Sequence, residues 1–407
     1  TGTVRGNATG LPESTQTLGI TVTQAVGQQV TLDFAPCEVG DRPIWFAYQD
    51  GNGPWTPLTG SNDAYTFSVA SNEFAVAAAT TPGAGQSIVF VAYSTQAEAN
   101  TFSSEDLCDP VPTGKTVNVT VAGLDPLQGE SAILSLGEAD IFAFANGAAQ
   151  FTNVPDGNLD LVAYRSHPTG ITDRMVLVRD LNPADNGSVG TIDFATDGFA
   201  PGTADITIGG GGALTTWLIE YATSPSAGFC YYSGRLTSGS AGAQFTVPGA
   251  PPAQQQAGDY HVVTMSSLLG SSFASVSESF ATLANRTVSF GGIVPAPTIT
   301  DLSGSGNYRR VLAEVTLPAE YNDGVSIAVT DQGADRSISA LASPGRIGGG
   351  NVSLEIPDFS GVAGWNDAWA PTSASTSDWG FSAFGWTGAD CVEGAREVRS
   401  LQTGTVG

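Results

Sequence analysis

The sequence predicts an all-β fold built as four tandem β-sandwich domains. Short segments rich in β-branched and aromatic residues alternate apolar and polar positions with period two, the pattern of a half-buried strand. The 51 glycines and 23 prolines, with many Asn and Asp, punctuate those segments at the spacing of sandwich turns. A third observation sets the number of domains: a degenerate pattern recurs four times along 407 residues, a length that exceeds one ordinary core.

The pattern opens with Thr followed by Val or Ile and ends at a Pro. It reads Thr3-Val4 to Pro12, Thr116-Val117 to Pro126, Thr191-Ile192 to Pro201 and Thr287-Val288 to Pro297. Each copy is followed by an apolar strand at Ile44–Tyr48, Ile133–Leu136, Trp217–Ile219 and Val325–Val329. An alternating strand ending in a turn comes next, at Tyr65–Val69, Gln150–Pro155, Gln244–Pro248 and Ser353–Pro357. A third segment closes the series, around Tyr93, Tyr164, Met265 and Phe384. Domain boundaries drawn from these copies are 1–112, 113–194, 195–292 and 293–407. No long segment carries a helical stripe; 97–107 is the one stretch expected to make a helical turn.

Charge narrows the partners. The net charge of −25 arises from scarce bases, 14 in all with Lys115 the sole lysine, so no basic stripe exists to neutralise nucleic-acid phosphates or to attract an anionic membrane. No apolar run approaches the length of a membrane span. The chain reads as a mature, processed, extracellular or cell-surface product.

Four cysteines, Cys37, Cys108, Cys230 and Cys391, show neither a CxxC pair nor histidines at ligand spacing. An even count in an extracellular composition predicts two disulfides, Cys37 with Cys108 and Cys230 with Cys391; buried free thiols are the alternative.

The second copy, Phe151-Thr-Asn-Val-Pro-Asp-Gly157 followed by Leu159–Tyr164, resembles the carboxypeptidase regulatory-like, transthyretin-like β-sandwich of bacterial surface proteins. The first copy, with Trp45-Phe-Ala-Tyr-Gln-Asp-Gly-Asn-Gly-Pro-Trp55, resembles segments of uncharacterised secreted bacterial lipoproteins. These resemblances imply immunoglobulin-like or transthyretin-like domains that serve as spacers or interaction modules, with no catalytic residue and no cofactor.

The candidate chemistry is sparse. Of the two histidines, His167 precedes Pro168 in a loop and His261 falls in an expected strand; no Gly-x-Ser-x-Gly elbow accompanies either, and ordinary structural roles are expected. Asp180, Asn182 and Asp185 sit on a turn ending at Gly187, as in a calcium loop, but the spacing is one residue long and an Asx-rich turn is the competing reading. Trp365, Trp369, Trp379 and Trp386 crowd the last domain and either stack on sugar rings or form its core. Two carboxylates converging in a cleft would point to glycoside hydrolysis, a remote third reading.

Two functions are therefore expected. In the first the chain is a filament subunit: Thr405-Val406 stands where a fifth copy would begin, so the last domain would lack its closing strand and accept Thr3-Val4 of another copy. In the second it is a monomeric surface lipoprotein or adhesin that binds glycans or protein through loops or the Trp-rich domain.

Overall fold

Alternating burial marks the short strands. In β3 (Gln28–Asp33) Val30 and Leu32 point inward between exposed neighbours, and in β6 (Ala64–Val69) Tyr65, Phe67 and Val69 do the same. The computed structural model describes residues 2–5, 15–18, 27–61, 63–83, 85–99, 114–137, 139–168, 172–210, 214–223, 231–234, 239–269, 271–304, 306–331, 335–347, 350–388 and 395–407. The chain is all-β, with several sheets. Among the described residues no helix is long and apolar enough to cross a membrane.

One strand pattern recurs. Residues 114–194 show it in full. Strand β9 (Lys115–Ala122) is flanked by β12 (Gly147–Val154), antiparallel, and by β15 (Ser188–Asp193), parallel. Against it lie β10 (Ser131–Leu136), β11 (Ala139–Ala143), β13 (Leu159–Ser166) and β14 (Thr172–Leu181), in the order β11-β10-β13-β14. Val117, Val119, Phe151 and Ile192 of one sheet meet Leu134, Leu161, Ala163 and Val176 of the other in a separate core.

The third segment repeats this arrangement. Strand β16 (Gly202–Gly209) is flanked by β19 (Gln244–Gly249) and by parallel β22 (Arg286–Ser289). Its second row is β18 (Tyr231–Gly234), β17 (Leu214–Ala222), β20 (Tyr260–Leu269) and β21 (Ser272–Phe280). In the fourth, β24 (Val311–Thr316) is flanked by β27 (Asn351–Glu355), and the row runs β26 (Arg336–Ala342), β25 (Gly324–Asp331), β28 (Ser377–Thr387), β29 (Arg396–Val406). In the first, β3 pairs with β6, and the row runs β5 (Thr56–Leu58), β4 (Trp45–Asp50), β7 (Glu73–Thr80), β8 (Ser87–Thr95).

These rows do not stay apart. Strand β21 pairs antiparallel with β29, and β26 pairs parallel with β8, so the third, fourth and first rows fuse in that order into one twelve-stranded sheet. The fusion explains the composition of β7, Glu73-Phe-Ala-Val-Ala-Ala-Ala-Thr80, which is buried along nearly its whole length. One face, with Phe74, Val76 and Ala78, covers β3 and β6; the other, with Ala77 and Ala79, joins the core shared with the fourth segment. A strand covered on both faces reads as an apolar run rather than an alternation.

Two expectations from the repeat are corrected. The four Thr-Val copies do not occupy equivalent strands: Thr116-Val117 opens its segment in β9, whereas Thr191-Ile192 and Thr287-Val288 close theirs in β15 and β22. Thr followed by a β-branched residue suits any strand, opening or closing. The fourth segment, moreover, is not left open. The flank of β24 that corresponds to β15 and β22 is taken by the chain's own β23 (Thr298–Asp301), antiparallel, and Thr405 and Val406 lie in β29, opposite Asp378 and Ser377. Thr3 and Val4 lie in β1 (Gly2–Arg5), which pairs with β2 (Thr15–Leu18), Thr3 opposite Thr17 and Val4 opposite Gln16.

Candidate functional site

The two histidines sit in different surroundings. His261 is fully buried between the Phe280 ring, stacked at 5.4 Å, and Tyr221, and its Nε2 accepts the Ala250 backbone N–H at 3.1 Å. Gly249 makes the seat, since a Cβ there would stand 2.6 Å from that same Nε2. Burial pushes the His261 pKa down to about 4, so the ring is neutral at ordinary pH. His167 stands 3.5 Å from Glu130 and 3.4 Å from Asp173, beside Arg165, in an ion cluster on the second segment.

The calcium candidate resolves into a turn. Asp185 Oδ1 accepts the backbone N–H groups of Thr116 and Asn186, Asp180 has a left-handed backbone with φ of 55°, and its N–H is bound by Asp160. The Asp185 carboxylate is thus spent on fixing β9, as an Asx turn would have it. Among the described residues no group of three His, Cys, Asp or Glu is placed to hold a metal ion. Cys37 is buried and disulfide-bonded. Cys108, Cys230 and Cys391 lie outside the described residues, and so does the pairing expected of them.

The four tryptophans do not form a row. Trp365 and Trp369 meet edge to face at 5.6 Å and close on Trp45 of the first segment, with Phe359 completing the cluster. Their polar edges are satisfied: Trp365 Nε1 donates to Asp367 at 2.7 Å and Trp45 Nε1 to the Ala363 carbonyl at 3.2 Å. Trp379 packs against the large core and lies over Gly404, where no side chain larger than hydrogen fits. Trp365 and Trp369 thus join the fourth segment to the first.

Trp386 is placed differently. It lines a cleft of about 220 Å³ on the far face of the long sheet, with Glu220, Tyr260, Ser277, Ser279 and Glu397. The register puts these groups on one face: Glu220 is opposite Val262, Val262 opposite Ser279, Ser277 opposite Glu397, and Glu397 opposite Trp386. Trp386 is itself anchored, its Nε1 donating to the Gly388 carbonyl at 3.0 Å and its backbone N–H to Asn322. Burial, and then the neighbouring Asp140 of the second segment, push the Glu220 pKa up to about 7. Among the described residues no cation pairs with it.

Glu220 and Glu397 both line this cleft. They stand three strand steps apart, about 14 Å between backbones at the usual strand spacing. Glu397 is also held to Arg399 of its own strand. The cleft offers two aromatic rings, Trp386 and Tyr260, with two carboxyl groups and two serine side chains around a volume suited to one small ring.

A larger cleft, about 430 Å³, lies where the first and fourth segments meet, but its charges are already matched, Arg346 with Glu73 and Glu355 with Arg310. Sequence reasoning singled out Trp386 by its neighbourhood in the chain. It had no means of finding Glu220, which only strand register brings to the same face. Compared with models of known protein families and with curated proteins, the chain matches none.

Proposed function

We propose that this chain is a non-catalytic extracellular protein of a cell surface, acting as one self-closed molecule that binds neutral glycans at the Trp386 cleft. In this reading the four segments are sandwich units of the immunoglobulin-like or transthyretin-like kind, serving as a stiff mount for that cleft. The observation that carries it is closure by the chain's own strands. β23 fills the flank that a donated strand would need, and β29 is paired on both sides, with β21 and with β28. The outermost strand β5 is three residues long and carries Pro57, which blunts that edge against pairing with another chain.

An aromatic ring beside uncharged hydroxyls and carboxyl acceptors suits the apolar face and hydroxyl edge of a sugar. With a net charge of −25, an anionic polysaccharide is disfavoured. The test combines light scattering with glycan binding. A monomer across the concentration range, together with sugar binding that Trp386→Ala abolishes, is the expected outcome. Polymers that disappear on deleting residues 1–9 would instead restore the filament reading.

A further inference from the structure

A second cavity, unrelated to the Trp386 cleft, lies on the opposite face of the long sheet near the passage from the third segment to the fourth. Its volume is about 230 Å³, and apolar surface dominates its wall, with Ala274, Phe290 and Ile293 among the lining residues. Ile293 is 72% exposed, an apolar residue left in solvent at the cavity. An apolar wall of this kind needs no polar group inside.

This one has a polar group without a partner. Ser267, 2% exposed, lines the cavity, and its Oγ makes no hydrogen bond. The other polar side chains around it are accounted for. Ser272 Oγ donates to Gln402 Oε1 at 2.7 Å, Gln402 Nε2 donates to the Val294 carbonyl at 2.9 Å, and Ser400 is hydrogen-bonded with Tyr321. A buried hydroxyl left unmatched costs free energy, and native proteins keep such groups few. Next to an otherwise apolar wall, an orphaned hydroxyl is what a bound molecule with one hydrogen-bonding group would complete.

Charge selects among such molecules. Among the described residues no Lys, Arg or His lines the cavity. Glu320 accepts the backbone N–H of Gly292 at the cavity wall and stands 4.0 Å from Arg396, so its charge is already paired. An anionic headgroup, such as that of a fatty acid, would lose its water against an apolar wall whose described lining offers it no cation.

We propose that this cavity binds a small neutral alcohol, aliphatic or aromatic, whose hydroxyl pairs with Ser267 Oγ while its hydrocarbon lies against Ala274, Phe290 and Ile293. The experiment titrates the full chain with 1-hexanol, with phenol and with hexanoate, followed by ligand-observed NMR. Both alcohols are expected to bind and hexanoate is not. Ser267→Ala should weaken the alcohols about 2- to 10-fold, the worth of one hydrogen bond. Ala274→Leu, which fills the cavity, should abolish their binding; Ser267→Ala serves as the independent check should the bulkier variant misfold. Failure of both alcohols to bind the unaltered chain would overturn the proposal, and so would equal affinity for the Ser267→Ala variant, the result expected if the hydroxyl is satisfied by water alone.

Discussion

Arg179 Nη2 lies 2.7 Å from Asp259 Oδ2, and this contact ties the second segment to the third. The same guanidinium reaches Asp160 of its own segment at 2.8 Å and the Gln254 carbonyl at 3.2 Å. Tyr221 Oη donates to Asp259 in turn. Although burial works the other way, the hydrogen bonds from Arg179 and Tyr221 hold the Asp259 carboxyl below its ordinary pKa. Val162, Tyr164, Met175 and Ala250 pack around the network. Arg179→Met should therefore cost about 3–5 kcal/mol, because it strands two nearly inaccessible carboxylates. Urea unfolding followed by hydrogen exchange should show the second segment, which has its own core, uncoupling as a separate transition.

Glu220 and His261 should pull stability in opposite directions over nearly the same pH range. The folded pKa of Glu220, about 7, is above its ordinary 4.5, so the native state holds the extra proton. Its contribution is complete below about pH 4.5 and is lost as pH rises through 7. The folded pKa of His261, about 4, lies below its ordinary 6.5, so the unfolded state holds the extra proton, and stability is lost as pH falls from 6.5 to 4. Each shift corresponds to about 3 kcal/mol, less solvent screening in the case of Glu220. Between pH 4.5 and 6.5 the two slopes cancel. Glu220→Gln should expose the His261 slope as acid sensitivity, and His261→Phe should expose the opposite one. Chemical denaturation midpoints across pH 4–8 check both; parallel profiles for the two variants would contradict the assignment.

Much of the strand pattern was legible in the sequence because alternation is written into the side chains. The segments at Ile44–Tyr48, Ile133–Leu136, Trp217–Ile219 and Val325–Val329 all fall at the same place in their rows, second from the edge, in β4, β10, β17 and β25. The segment around Tyr93 broke the series, for it lies in β8, the last strand of its row, while Tyr164, Met265 and Phe384 lie one strand earlier in theirs. The fusion of rows was not legible. The β21–β29 and β26–β8 joints are made by backbone groups, which every residue but proline carries alike. Nor could the sequence separate Trp386 from Trp365: both are aromatic residues in a Gly-rich stretch, and only the folded chain turns one toward Trp45 and the other toward Glu220.

That separation can be measured. Trp365→Ala opens a void between Trp45, Phe359, Trp369 and Tyr308 and should cost about 3–5 kcal/mol, the usual range for a packed aromatic. Glycan binding per folded molecule should be unchanged. Trp386→Ala, on a partly exposed ring at the cleft wall, should leave the thermal midpoint within a few degrees and remove binding. If Trp365→Ala removed binding at unchanged stability, the ligand surface would have to be moved to the cleft between the first and fourth segments.

Ser267 offers a test that needs no ligand. A hydroxyl buried without a partner destabilises the fold by the desolvation it has undergone, roughly 1–3 kcal/mol, and replacing it with a methyl removes that penalty. Ser267→Ala should therefore raise stability in the free protein, although most substitutions at buried positions lower it. Ser272→Ala, in the same cavity wall, removes a hydroxyl that does have a partner in Gln402 and should lower it. The two variants differ by one atom from the parent and lie on adjacent strands, so the comparison isolates hydrogen bonding from packing. Thermal unfolding of both decides the matter: a rise for Ser267→Ala alone marks its hydroxyl as a group kept at a cost to the fold, and a fall for both marks it as an ordinary hydrated serine.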